Sequence, residues 1–171
     1  MSKLFEELVK KRGFTSSFLK PEYEGLPSPW LLPDMKKAVG RISEAVKRGE
    51  KVIIYGDYDV DGVTASTVLG EALRLAGAKE VEVMLPDRFK DGYGMSEKVV
   101  ERAKETGASL VVTADCGSGN KEIVAELKKE GVETIVTDHH ECPKELPEAV
   151  AVVNPKRRDV AKCVPEFEEH L

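Results

Sequence analysis

Three acidic residues stand at alternate positions in KVIIYGDYDVDGVTAS: Asp57, Asp59 and Asp61. Carboxylates this close raise one another's pKa unless a cation or water lies among them. Two further clusters follow, Asp115 in VVTADCGSGN and Asp138–His139–His140 in TIVTDHHE. Turn-making and helix capping would account for Asp57 alone, but capping does not call for histidines at a third place in the chain. Carboxylate oxygen with some imidazole and no thiolate suits manganese or magnesium better than zinc. Asp61 or Asp115 could bridge two ions about 4 Å apart, the spacing of two-metal phosphoryl-transfer sites.

Rival motifs fit poorly. D-x-D-x-D-G opens a calcium loop, but counting from Asp57 places Val68 where a bidentate glutamate is required. No G-x-x-x-x-G-K-[ST] is present, and Gly117-Ser118-Gly119 lacks the third glycine of a dinucleotide loop. Gly117 to Asn120 nevertheless opens a helix beside Asp115, and free N–H groups there could hold a phosphate. A tight strand-to-helix turn explains the same glycines equally well.

The surrounding pattern must position these clusters. Apolar, β-branched runs predict strands at Val52–Tyr55, Val81–Leu85, Leu110–Thr113, Thr134–Thr137 and Ala149–Val153. Amphipathic periodicity predicts helices at Met35–Arg48, Val63–Ala76, Ser96–Glu105 and Lys121–Glu130, the last three stopping at Gly77, Gly107 and Gly131. Asp34 is placed to cap the first of them. Short buried strands alternating with helices give an α/β fold, a five-stranded parallel doubly wound sheet with helices on both faces. Each chemical cluster then lies past a strand's carboxyl end, and those ends share one edge of the sheet. Before the sheet, a short helix at Lys3–Lys11 and the proline-rich FLKPEYEGLPSPWLLP predict an irregular N-terminal strap over residues 1–33, with Trp30 as its core anchor. The main domain covers 34–159, and 160–171 is a peripheral tail.

Composition sets outer limits. With 171 residues, 41% hydrophobic and 33% charged, the chain has the make-up of a soluble globular domain. A net charge of −5 argues against nucleic-acid binding by bulk electrostatics. It leaves room for a local site whose acidic groups are cancelled by divalent ions. Three cysteines without a C-x-x-C pair fit a reducing compartment. No run approaches a membrane span, so a cytoplasmic location is expected, with no membrane partner.

DYDVDG, DCG and DHH, each at a strand end, resemble the motifs of the DHH phosphoesterase superfamily. FLKPEYEGLPSPWLLPDM, LPDRFKDGYGMSE and VVNPKRRD narrow the likeness to RecJ-like single-strand-specific exonucleases, over about Leu4 to Asp159. The resemblance implies a two-metal phosphodiesterase that removes 5′ nucleotides from single-stranded DNA in repair and recombination. It implies a metal set of Asp57, Asp59, Asp61, Asp115 and His139, with Asp115 bridging. His140 would face substrate phosphate or support the metal site, and Asp138 would orient backbone or the histidines. Asp59, Asp61, Asp115, His139 and His140 would thus carry catalysis, while Arg88 and Tyr93 could touch the DNA backbone.

Tyr55 stands where pyrophosphatases and small-nucleotide phosphodiesterases of the superfamily carry a histidine, which favours the RecJ-like branch. The family pattern also continues past Leu171, to a fourth metal-binding aspartate and a substrate-gripping domain. A fragment or short relative is therefore expected, holding one manganese or magnesium ion firmly and a second weakly. Low activity alone is expected too, with dependence on a C-terminal domain or another replication or repair protein. Two alternatives remain: a Cdc45-like non-catalytic replication module, and a phosphodiesterase for short oligonucleotides or cyclic dinucleotides.

Overall fold

The computed structural model describes residues 2–20, 22–92 and 94–159. Five strands form one sheet: β1 (Val52–Gly56), β2 (Val81–Met84), β3 (Leu110–Ala114), β4 (Glu133–Thr137) and β5 (Ala151–Val153). Their order is β2-β1-β3-β4-β5 and every neighbouring pair is parallel. The β-branched runs supply what a doubly covered sheet needs, side chains that bury on alternating faces. Ile53, Tyr55 and Val111 face one core with Val99, Val100 and Leu127 of α5 (Glu97–Thr106) and α6 (Lys121–Lys129). Val52, Ile54, Leu110 and Val112 face the other with Ala38, Ala45 and Leu73 of α3 (Met35–Arg48) and α4 (Val60–Leu75). β1 and β3 are buried throughout, whereas β2, at the sheet's edge, is only half covered.

Several sequence expectations need correction. α4 begins at Val60 rather than Val63, because Asp59 caps it by accepting the Gly62 N–H at 3.0 Å. Asp61 therefore stands in the first helical turn and not in a loop. Asp34 occupies the position before α3, but its side chain makes no capping bond. The carboxylate instead accepts from Val152 N and Arg157 Nη1 and pairs with Lys37, joining α3 to the end of β5. Burial opposes ionisation of Asp34, and those donors outweigh it and hold its pKa low. β5 starts at Ala151, two residues late. The glycine stops hold, with positive φ at Gly77, Gly107 and Gly131.

The N-terminal segment contains α1 (Lys3–Arg12), α2 (Ser16–Leu19) and single 3₁₀ turns at Tyr23–Gly25 and Pro29–Leu31. None of its described residues from 2 to 31 is buried. Trp30 is 54% exposed and so does not anchor a core. The tail 160–171 lies outside the described residues.

Candidate metal centre

The strand order reverses at β1: β2 lies on one side of it and β3 on the other. In open parallel sheets the crevice at such a switch point is where ligands bind. The Asp57–Asp61 turn leaves β1 there, and Asp115 leaves β3 directly beside it, with Asp57 N donating to Ala114 O. A side chain at position 62 would have to occupy space 2.4 Å from the Asp57 carbonyl oxygen, so glycine lets α4 start against this turn. Asp57 is buried and its Oδ1 accepts from Tyr58 N.

Asp115 is the hub. It holds a left-handed backbone, φ 66°, which carries a small strain for a residue other than glycine. Its N–H donates to Thr137 O, and Thr113 fixes the turn by donating to Cys116 O and accepting from Thr137 N. One group of potential ligand atoms unites Asp57, Asp59 and Asp115; another unites Asp115, His139 and His140; within each, the atoms lie within 4.8 Å of one another. Asp115 Oδ1 is 3.0 Å from His139 Nε2. Asp115 Oδ2 is buried without any hydrogen-bond partner among the described residues. Burial first, and then the Asp59 charge, raise the Asp115 pKa. Asp59 goes the other way, its carboxylate held low chiefly by the Gly62 N–H. An orphaned buried carboxylate oxygen between two donor groups is what a divalent cation would satisfy, so the residues present fit one.

Asp138 is not in either group. Its side chain is 2% exposed, and Oδ1 accepts from His139 N, His140 N and His140 Nδ1 while Oδ2 accepts from Ser118 N. Burial alone would raise this carboxyl, but the N–H groups of His140 and Ser118 outweigh it and keep it ionised below its ordinary range. His140 Nδ1 lies 2.8 Å from Asp138 Oδ1 and 3.9 Å from Asp115 Oδ1, so Asp138 fixes the ring beside the hub. The His139 and His140 rings both join the Asp115 group.

Asp61 lines the same cavity, of about 1550 Å³, as Asp115, Asp138 and His139, but enters neither ligand group. Phe14 and Phe18, stacked 4.2 Å apart, line that cavity too. Several polar groups of the turn at 117–120 are used inside the protein. Ser118 N is taken by Asp138, Asn120 N donates to Gly117 O, and the Asn120 amide is spent on the backbone of Met95. Gly117 is buried and Gly119 exposed in the same turn. Arg88 is exposed, its guanidinium 5.3 Å from the centre of the Tyr58 ring. Tyr93 lies outside the described residues.

One residue escaped the sequence reading. Asn154 is fully buried just past β5, donating to Ser118 Oγ and His140 O and accepting from Lys156 N. It ties the ends of three strands together. The signal was present, an asparagine directly after an apolar run in VVNPKRRD, but its partners are 36 and 14 residues away.

Residues 51–166 match the family model described as "DHH family, N-terminal domain". The single-stranded-DNA-specific exonuclease RecJ of Bacillus subtilis is 40% identical over 159 residues, covering 90% of this chain and 20% of the relative. A crystal structure of an exonuclease RecJ bound to manganese superposes with a TM-score of 0.69 at 35% identity, covering 78% of this chain and 33% of the other. RecJ from Thermus thermophilus in complex with Mn2+ gives 0.68 at 33% identity, over 86% and 20%. The chain spans between 20% and 28% of the length of its RecJ relatives in Bacillus subtilis and Dickeya dadantii. The chain belongs to the DHH family and is homologous to the RecJ exonucleases over about nine-tenths of its length.

Proposed function

We propose that this DHH-family chain is the metal-binding portion of a phosphodiesterase that removes nucleotides from the 5′ end of single-stranded DNA, acting in the cytoplasm in repair or recombination. The observation that carries the reading is Asp115 Oδ2, buried and unpartnered among the described residues where a carboxylate group and an imidazole group meet. The kinship with RecJ exonucleases, seen with manganese in two solved structures, supports the same chemistry.

In this reading Asp115 would help to hold cations in both groups, together with Asp57 and Asp59 in one and His139 and His140 in the other. Manganese or magnesium bound there would supply the positive charge that a phosphodiester needs to accept a nucleophile and release its 3′ oxygen. The chain's own residues do the positioning. Asp59 is held by α4, and Asp115 is fixed by Thr113 and Thr137. Asp138 holds the His140 ring through Nδ1, beside Asp115. Asp61, in the first turn of α4, borders the space the scissile phosphate would enter. Arg88, against the Tyr58 ring in the Asp57–Asp61 turn, is the cation for a neighbouring phosphate.

Much of a RecJ relative's length lies outside the matched region, and positioning a single strand is worth several orders of magnitude in rate. The isolated chain is therefore expected to bind about one manganese firmly and to hydrolyse DNA slowly. Activity should rise with the remainder of a RecJ-like protein or with a repair partner. The test compares manganese-dependent hydrolysis of a 5′-phosphorylated single strand, a dinucleotide and pyrophosphate. Preference for the long strand supports the reading; turnover of pyrophosphate alone would overturn it.

A further inference from the structure

The loop between β2 and α5 is held in place from outside itself. Its first part is a compact turn: Asp91 Oδ2 accepts from Asp87 N, Asp87 O accepts from Lys90 N and Asp91 N, and Lys98 of α5 pairs with Asp91. Arg88 projects from this turn, and among the described residues no carboxylate pairs with it. The second part is gripped at two points. Asn120, before α6, accepts from Met95 N at 3.2 Å and donates to Met95 O at 3.3 Å. Tyr55, fully buried at the end of β1, donates to Gly94 O at 3.3 Å and stands 3.4 Å from Ser96 Oγ. Gly94 has φ +83°, and an added Cβ would lie 2.8 Å from Asn120 Oδ1. The amide therefore packs against bare backbone that only glycine supplies.

Both grips reach back to the crevice. Tyr55 precedes the Asp57–Asp61 turn by two residues, and Asn120 follows Asp115 by five. The loop is thus referenced to both strands that flank the crevice, and its arginine is set against Tyr58, between Asp57 and Asp59 of the first motif. Turn formation alone does not require a two-point amide clamp, since the turn at 87–91 closes on its own bonds.

We propose that Asn120 and Tyr55 are positioning residues for substrate, latching the β2–α5 loop so that Arg88 meets a backbone phosphate of single-stranded nucleic acid beside the Asp57–Asp115 crevice. This rests on the phosphodiesterase reading above. Asn120 acts through Arg88, so the two residues form one functional unit.

A double-mutant cycle tests this with a labelled oligothymidylate as the probe, manganese present, and affinity read by fluorescence anisotropy. Arg88→Ala should weaken binding about tenfold and Asn120→Ala about fivefold, while the double variant should be no weaker than about tenfold. Asn120→Asp, which keeps the acceptor for Met95 N and loses the donor, should fall between wild type and Asn120→Ala. Tyr55→Phe should weaken binding about twofold, removing one hydroxyl only. Manganese affinity measured by calorimetry should stay within about twofold in Asn120→Ala. Multiplying losses, about fiftyfold in the double variant, would overturn the latch and reduce Asn120 to a structural role. Unchanged affinity in Asn120→Ala would overturn it as well. A wild type that binds manganese but no oligonucleotide would overturn Arg88 as a contact and the latch with it. A wild type that binds neither would instead overturn the phosphodiesterase reading from which the latch starts.

Discussion

The two donor groups that meet at Asp115 are built by different means. On the β1 side, Asp57 is buried and Asp59 doubles as the cap of α4, so backbone hydrogen bonds fix both carboxylates. On the β4 side, the His139 and His140 side chains are 55% and 41% exposed, and one buried carboxylate, Asp138, holds the backbone of both and the His140 ring. The first is rigid because secondary structure makes it so. The second is rigid through a relay of side chains that continues to Ser118 and Asn154. The contrast predicts that the β1 side fails by losing packing, and the β4 side by losing a single acceptor.

The largest effect should come from the residue both sides share. Asp115→Asn should weaken manganese binding by about a hundredfold or more in calorimetry, whereas Asp57→Asn should cost far less. Equal losses would erase the distinction between hub and rim. Gly62→Ala should destabilise the fold by about 3 kcal/mol in urea unfolding, because the new methyl meets the Asp57 backbone. A neutral result would mean that the β1 turn is not packed as described.

Asp138→Ala should cost about 2 kcal/mol, leaving the N–H groups of Ser118, His139 and His140 without their acceptor. That loss carries a pH signature. The folded Asp138 pKa is depressed below 3.8, so its contribution is present above that pH and fades as pH falls through the lower folded value. Unfolding curves of wild type and Asp138→Ala should therefore stand apart near neutrality and converge at strongly acidic pH. The smallest effect is expected from the rings. His139→Ala and His140→Ala should each weaken manganese about tenfold, since both reach the Asp115 group. A loss confined to His139→Ala would instead give the two histidines separate roles.

Whatever local chain physics decides was legible in the sequence. The β-branched runs of β1 and β3 marked the sheet's centre, and glycine stops marked helix ends. Placing every cluster after a strand brought Asp57, Asp115 and His139 to one edge from the pattern alone. What stayed hidden depends on partners far along the chain. Asp34 looks like a cap, yet its carboxylate serves Val152 and Arg157, more than a hundred residues away. That the Asn120 side-chain amide clamps the backbone of Met95, 25 residues away, is likewise invisible in the sequence. Trp30 looks like an anchor because tryptophan usually buries, but among the described residues it does not. The start of α4 was misplaced for a subtler reason: capping and metal binding ask for the same residue type, and here Asp59 suits both.

Central to the proposed function is that one carboxylate, Asp115, would serve two cations at once. Electron paramagnetic resonance of the chain with enough manganese to fill the weaker position as well as the firmer one reads this directly, because ions sharing a carboxylate couple their spins. A shared Asp115 predicts a coupled two-manganese signal in the wild type and its loss in Asp115→Asn, with isolated manganese remaining. Only isolated manganese in the wild type, or a coupled signal that survives Asp115→Asn, would contradict it.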